Sequence, residues 1–171
     1  MFPGNNNTRP AENFASVTGT VSDIVPMGDG CFQMITVMDR NGSVTNFVAG
    51  PDTYFVDHVR LTVGMEVQGF YDTSRPAVLI YPPQFQAVVM ARVLPNRSVA
   101  VGWFGFNLVN RENTLKLNVS NRTRIVLENG QDYMGSLQNR LLTVVYGATT
   151  RSIPAQTTPS QIIVMCRYSN S

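Results

Sequence analysis

The chain has 171 residues, of which 43% are hydrophobic, so it can bury a core; this excludes a wholly disordered protein and suits one ordinary domain or two small ones. Its formal net charge of +2 excludes a strong field for steering nucleic acid or an anionic membrane. Charged residues make up only 14% of the chain, against about 25% in soluble proteins.

The kind of charge is informative. Lys116 is the one lysine beside twelve arginines, and glutamate is confined to Glu12, Glu66, Glu112 and Glu128. Protein interfaces are depleted in Lys and Glu and enriched in Arg, Tyr and Met. Two readings follow: drift in an Asn/Thr/Ser-rich chain, or a surface that spends much of its area against copies of itself. The start, MFPGNNNTRPAENF, has neither the basic onset nor the apolar run of a signal peptide, so synthesis in the cytoplasm is expected. No apolar stretch approaches membrane-spanning length, so no membrane partner is expected. Cys31 and Cys166 are too few for a disulfide framework. They read as a pair of small buried residues or, alternatively, as a bridge within or between subunits.

Along the chain, residues 1–13 read as a flexible polar arm. SVTGTVSDIV then alternates, with Val17, Gly19 and Val21 on one face, and CFQMITVM alternates next. DRNG supplies a hairpin in which Asn41 and Gly42 suit positive φ, and VTNFVAG returns as its partner strand. Val63-Gly64-Met65-Glu66-Val67 reads as a turn into a fourth strand, and FQAVVMARVL as a fifth. No segment of this half has a capped helical period.

The second half repeats the pattern. VAVGWFGFNLV, TLKLNV and TRIVLENGQDYM give three strand signals, with Leu115, Leu117 and Val119 sharing a face and Asn129-Gly130 marking a turn. LLTVVYG and SQIIVMCRY are the fourth and fifth strands. Between the last two strands each half carries a lysine-free loop, TSRPAVLIYPP and TTRSIPAQTTP. In each, a proline stands eight residues after an arginine: Pro83 after Arg75, Pro159 after Arg151.

These patterns predict an all-β protein of two tandem five-stranded OB-like barrels, residues 14–94 and 95–171. The alternative is one β-sandwich or jelly roll over the whole chain. The repeated loop reads as one crossover used twice, at an edge or outside the sheet because proline blocks ladder bonds. Arg75 and Arg151 are expected to anchor these loops by donating to backbone carbonyls, with Pro83 and Pro159 as the rigid ends.

Chemistry finds little purchase. His58 is the only histidine, and beside Asp57 and Asp52 it lacks the further ligands that zinc or iron would need. No nucleophile-elbow motif occurs. Asp39-Arg40-Asn41-Gly42 holds only a fragment of a calcium loop, and GDG at 28–30 lacks a phosphate-loop lysine. No catalytic residue, metal or cofactor is therefore expected. If the barrels bind a sugar, a peptide or a single strand, the candidate face aromatics are Tyr54, Trp103 and Phe104. The thin positive charge argues against nucleic acid.

The stretches NFVAGPDTYFVDHV, GFYDTSRPAVLIYPPQFQAVVM, LENGQDYMGSLQNR and TTRSIPAQTTPSQIIVMC, including YPPQ-x-x-A and TRSIPAQTTP, resemble a group of proteins from spore-forming clostridia and related Firmicutes with tandem OB-like repeats. The resemblance covers nearly everything after residue 15. It implies no activity and no catalytic residue, and it points to deposition at a spore or cell surface. Together with the composition, it leads to the expectation of a non-enzymatic, self-assembling protein whose partner is itself. Subunits would be joined through the arm or a sheet edge. The other expectation is a tandem OB-fold binding module.

Overall fold

Alternating apolar and polar residues build strands with one buried side, and the structure is all-β in keeping with that pattern. The computed structural model describes residues 13–75 and 80–166. Among them are thirteen strands and one three-residue 3-10 turn, Val56–His58. No helix among the described residues is long and apolar enough to cross a membrane. Two compact units part between Pro95 and Asn96. The polar arm expected over residues 1–13 lies, except for Asn13, outside the described residues.

The first unit holds β1 (Phe14–Met27), β2 (Phe32–Met38), β3 (Val44–Ala49), β4 (Tyr54–Phe55), β5 (Glu66–Asp72), β6 (Gln84–Gln86) and β7 (Val89–Arg92). β1 is long enough to serve two partners. Phe14 to Thr20 pair antiparallel with β5, and Thr20 to Met27 pair antiparallel with β2, with a bulge between Val21 and Asp23. β2 pairs antiparallel with β3, and β3 pairs parallel with β6. The chain then changes partner within two residues: Ala87 N–H donates to Val48 O at 2.9 Å, and Val88 N–H donates to Phe70 O at 2.8 Å. β7 continues antiparallel along β5, which closes a ring of strands. Val21, Ile35, Val37, Phe47, Ala49, Val67, Ala87 and Met90 fill its interior. Glycine at 69 leaves space for the largest of them, because a Cβ there would lie 2.7 Å from the Phe47 ring.

The second unit holds β8 (Ser98–Phe104), β9 (Leu115–Leu117), β10 (Arg124–Leu127), β11 (Arg140–Tyr146), β12 (Ala155–Thr157) and β13 (Gln161–Val164). Four of its pairings repeat those of the first unit. β8 pairs with β11 and β11 with β13, both antiparallel, while β12 runs parallel to β9 and β13 parallel to β10. In place of β2 stand two single bridges, Phe104 with Asn110 and Val109 with Lys116. The partner change recurs where Asn118 N–H donates to Thr157 O at 2.8 Å and Ser160 N–H donates to Val145 O at 3.0 Å. Phe104, Leu115, Leu117, Leu142, Val144, Ile162 and Val164 form the core.

Three expectations change in detail. In the first unit the single fifth strand is two short strands, β6 and β7, because it must serve two neighbours; in the second, β13 falls in the expected fifth strand, while β12 lies within the TTRSIPAQTTP loop and pairs at a sheet edge with β9. The stretch 99–109 is not one strand: β8 stops at Phe104, and Leu108 N–H donates back to Gly105 O at 3.0 Å with Leu108 at positive φ. In the DRNG turn Gly42 takes positive φ (81°) and Asn41 does not. The turn is organised instead by Asp39, whose carboxylate accepts the N–H groups of Asn41 and Ser43, each at 2.9 Å.

Candidate functional site

The repeated loops are the most distinctive surface feature of each unit. In the first, the loop leaves β5 at Asp72, a buried carboxylate at the strand end. One of its oxygens accepts the Ser74 N–H at 2.9 Å and the Ser74 hydroxyl at 2.6 Å. Residues 76–79 of the loop lie outside the described residues. It returns through Ile80, 51% exposed, and Tyr81, 78% exposed, and a cis Tyr81–Pro82 bond. Pro83 then ties it to the sheet, its carbonyl accepting the Asn46 N–H at 2.9 Å.

In the second unit the loop leaves β11 after Tyr146 and is held by hydroxyls. Gln156 N–H donates to Thr150 Oγ1 at 2.9 Å, the Thr150 and Ser152 hydroxyls lie 2.6 Å apart, and Ser152 donates to Pro154 O at 2.8 Å. Its tip is Ile153, 90% exposed, followed by a cis Ile153–Pro154 bond. Ladder register makes the correspondence strict. Gln84 sits opposite Asn46 and Gln156 opposite Lys116, so Pro82 and Pro154 each stand two residues before equivalent glutamines.

That register corrects the pairing of Pro83 with Pro159. Pro159 corresponds instead to Ala87, since the carbonyl of each accepts a threonine hydroxyl at 2.8 Å, from Thr123 and Thr53 respectively. The spacing from arginine misled because the second loop is shorter: eleven residues separate Tyr71 from Pro82, but eight separate Tyr146 from Pro154. The anchoring role expected of the arginines is also corrected. The Arg75 side chain is 62% exposed, with Nε 3.7 Å from Asp72 Oδ2, and Arg151 is exposed. A guanidinium left in water satisfies its five donors there, so the shorter Asp72, Thr150 and Ser152 side chains hold the loops.

The candidate face aromatics fall inside. Tyr54, Trp103 and Phe104 are all buried, and the Arg111 guanidinium stands 5.9 Å from the Trp103 ring centroid. The cost of leaving so much ring area in water accounts for this. Both cysteines are free and exposed, which corrects the expectation of two buried residues. Cys31 lies in the β1–β2 turn, where its N–H donates to Asp29 Oδ1 at 3.0 Å; that bond, with one from the thiol, holds the Asp29 carboxyl below its ordinary value. His58 is exposed at positive φ beside Asp57, its ring edge-on to Tyr54 with centroids 6.3 Å apart. No group of three or more His, Cys, Asp or Glu side chains able to hold a metal gathers among the described residues.

The exposed tips, Ile80, Tyr81 and Ile153, were not among the residues singled out from the sequence. The available signal was an apolar residue directly before proline inside a polar loop. A scan against protein-family models finds no match to this chain, and a search of curated proteins finds no similar sequence.

Proposed function

We propose that this chain is a non-enzymatic structural protein that assembles with copies of itself, as a homo-oligomer, a fibre or part of a spore- or cell-surface layer. The observation that carries this reading is the outward loop of each unit. Tyr81 and Ile153, at the same place in the two rings, present large apolar side chains almost wholly to water. An isolated exposed hydrophobe is ordinary, but the same exposure at equivalent tips of two units is what a contact point used twice looks like. The arginine-rich, lysine-poor surface supports it, as does the exposure of Arg75 and Arg151 in the same loops.

Each ring reads as an OB-like barrel. In support, the first unit has a long first strand shared by two neighbours, three antiparallel strands after it, and a last strand that runs parallel to the third and antiparallel to the fourth; the second unit repeats the parallel and antiparallel pairings of that last strand. A β-solenoid would stack parallel coils, whereas the consecutive strands β1, β2 and β3 pair antiparallel. Separate sheets in the two units favour two barrels over one sandwich. The same connectivity supports a second reading, a tandem binding module for oligosaccharide, peptide or single-stranded nucleic acid.

Sedimentation velocity across a wide concentration range, with negative-stain microscopy, tests the first reading. Growth of larger species with concentration is expected, and a strict monomer throughout would overturn it. A steep, salt-dependent shift on adding oligonucleotide would instead promote the binding module.

A further inference from the structure

We propose that the outer face of β2 and β3 in the first unit is the surface through which two copies of this chain pair. This rests on the assembly reading above and names the interface it would use.

Register brings the face together. Met34 of β2 lies opposite Val25 of β1 on one side and Val48 of β3 on the other, while Met38 lies opposite Val44 and Phe32 opposite Met27. The core-facing residues of the same strands, Ile35, Val37 and Phe47, are buried, so this alternate set points away from the interior. An antiparallel sheet with one free side ordinarily carries polar residues there. Here Val25 is 46% exposed, Phe32 41% and Met38 43%. The apolar residues form a strip across three strands, crossed at its centre by the polar row Asp23, Thr36 and Asn46.

The strip is prepared for contact. The Phe32 ring lies over Gly50, where a Cβ would strike it, so glycine lets the aromatic rest against the β3 end. An ordered ring loses little freedom on docking. Methionines adapt their shape to a partner surface. At the centre the Thr36 hydroxyl donates to Asn46 Oδ1 at 2.7 Å. That bond orients the carboxamide and leaves its two N–H donors for an opposing face.

Charge selects the occupant. Among these residues there is no Lys or Arg, so the strip has nothing to neutralise phosphate. Asp23, at the β1 margin opposite Thr36, is its one ionised neighbour in the paired register. A partner must therefore be neutral and apolar with amide groups near its centre, and this face meets that description itself. Two-fold pairing sets the face against its own copy without massed like charges, and two twisted sheets pack readily face to face. Seven residues of β2 span about 22 Å, and three neighbouring strands, at about 4.8 Å each, about 14 Å, giving on the order of 300 Å². A standard interface buries about 800 Å² per partner. The face alone therefore supports a reversible dimer and not a permanent one.

The test is sedimentation velocity of the full chain over a concentration series, with Met38→Lys and Val25→Lys measured alone and mixed with wild type. The wild type is expected to dimerise reversibly and each variant to weaken pairing at least tenfold, both with itself and with the wild type, because both copies use the same face. Circular dichroism confirms folding, which these exposed positions should preserve. If the wild type stays monomeric, the assembly reading falls as well. If it assembles and the variants assemble equally, only this interface is overturned. Full-strength pairing of a variant with the wild type would assign the face to an unlike surface of the second copy, and would also overturn it.

Discussion

Thr53 and Thr123 make the same bond at the same point of the two units. Each donates its hydroxyl at 2.8 Å to the carbonyl where the last strand begins its second half, Ala87 and Pro159. Each hydroxyl also accepts the N–H three residues earlier, from Gly50 at 3.0 Å and Ser120 at 3.2 Å. One side chain thus ties the turn before β4 or β10 to the strand that pairs beside it. Thr123→Val leaves a buried carbonyl unpaired and is expected to cost about 1–2 kcal/mol. Thr123→Ser should recover most of this. Urea unfolding measures both, and equal stability of the valine variant and wild type would show that the bond contributes nothing.

The loop exit from β5 separates two side chains that look like partners. Asp72→Ala removes an acceptor used twice by Ser74 and is expected to cost about 1–3 kcal/mol. Arg75→Ala should stay within about 0.5 kcal/mol, since an exposed ion pair contributes little. Denaturant midpoints decide between them. A larger loss at Arg75 than at Asp72 would restore the arginine as the anchor.

Thr143, in the middle of β11, is fully buried, and its hydroxyl meets no hydrogen-bond partner among the described residues. Valine has nearly its shape without the polar atom. Thr143→Val is expected to stabilise the protein by about 1 kcal/mol, because the desolvation cost of an unpaired hydroxyl disappears. Thermal and urea unfolding both report it. A clear loss of stability would mean that the hydroxyl finds a partner in solution.

At the loop tips, Tyr81→Ser and Ile153→Ser should leave stability within about 0.5 kcal/mol, as exposed substitutions generally do. The double variant should form fewer large species than the wild type at the same concentration. Unchanged sedimentation would separate the tips from assembly.

Much of the fold was legible because strand alternation is a local property. The order of strands, the absence of long helices among the described residues and the repeated loop all followed from Val/Thr-rich runs broken by Gly, Asn and Pro. The duplication was legible in outline from Tyr71 and Tyr146, which occupy equivalent ends of β5 and β11. The site was less legible. Arg75 and Arg151 drew attention as matching residues of high charge, yet exposure and not anchoring is their condition. Tyr54, Trp103 and Phe104 drew attention as aromatics, yet aromatic type alone does not say which face of a strand turns inward.

What the sequence determined by itself was the period of each segment and the places where it turns, since both depend on residues close together in the chain. Only tertiary structure decided that Pro82 answers Pro154 and that Ala87, and not Pro83, answers Pro159. Loop length can vary while strand register cannot slip by one residue without exchanging inside for outside. It likewise decided that Val25, Met34 and Val48, from three strands, share one face. That face exists only once β1, β2 and β3 lie side by side.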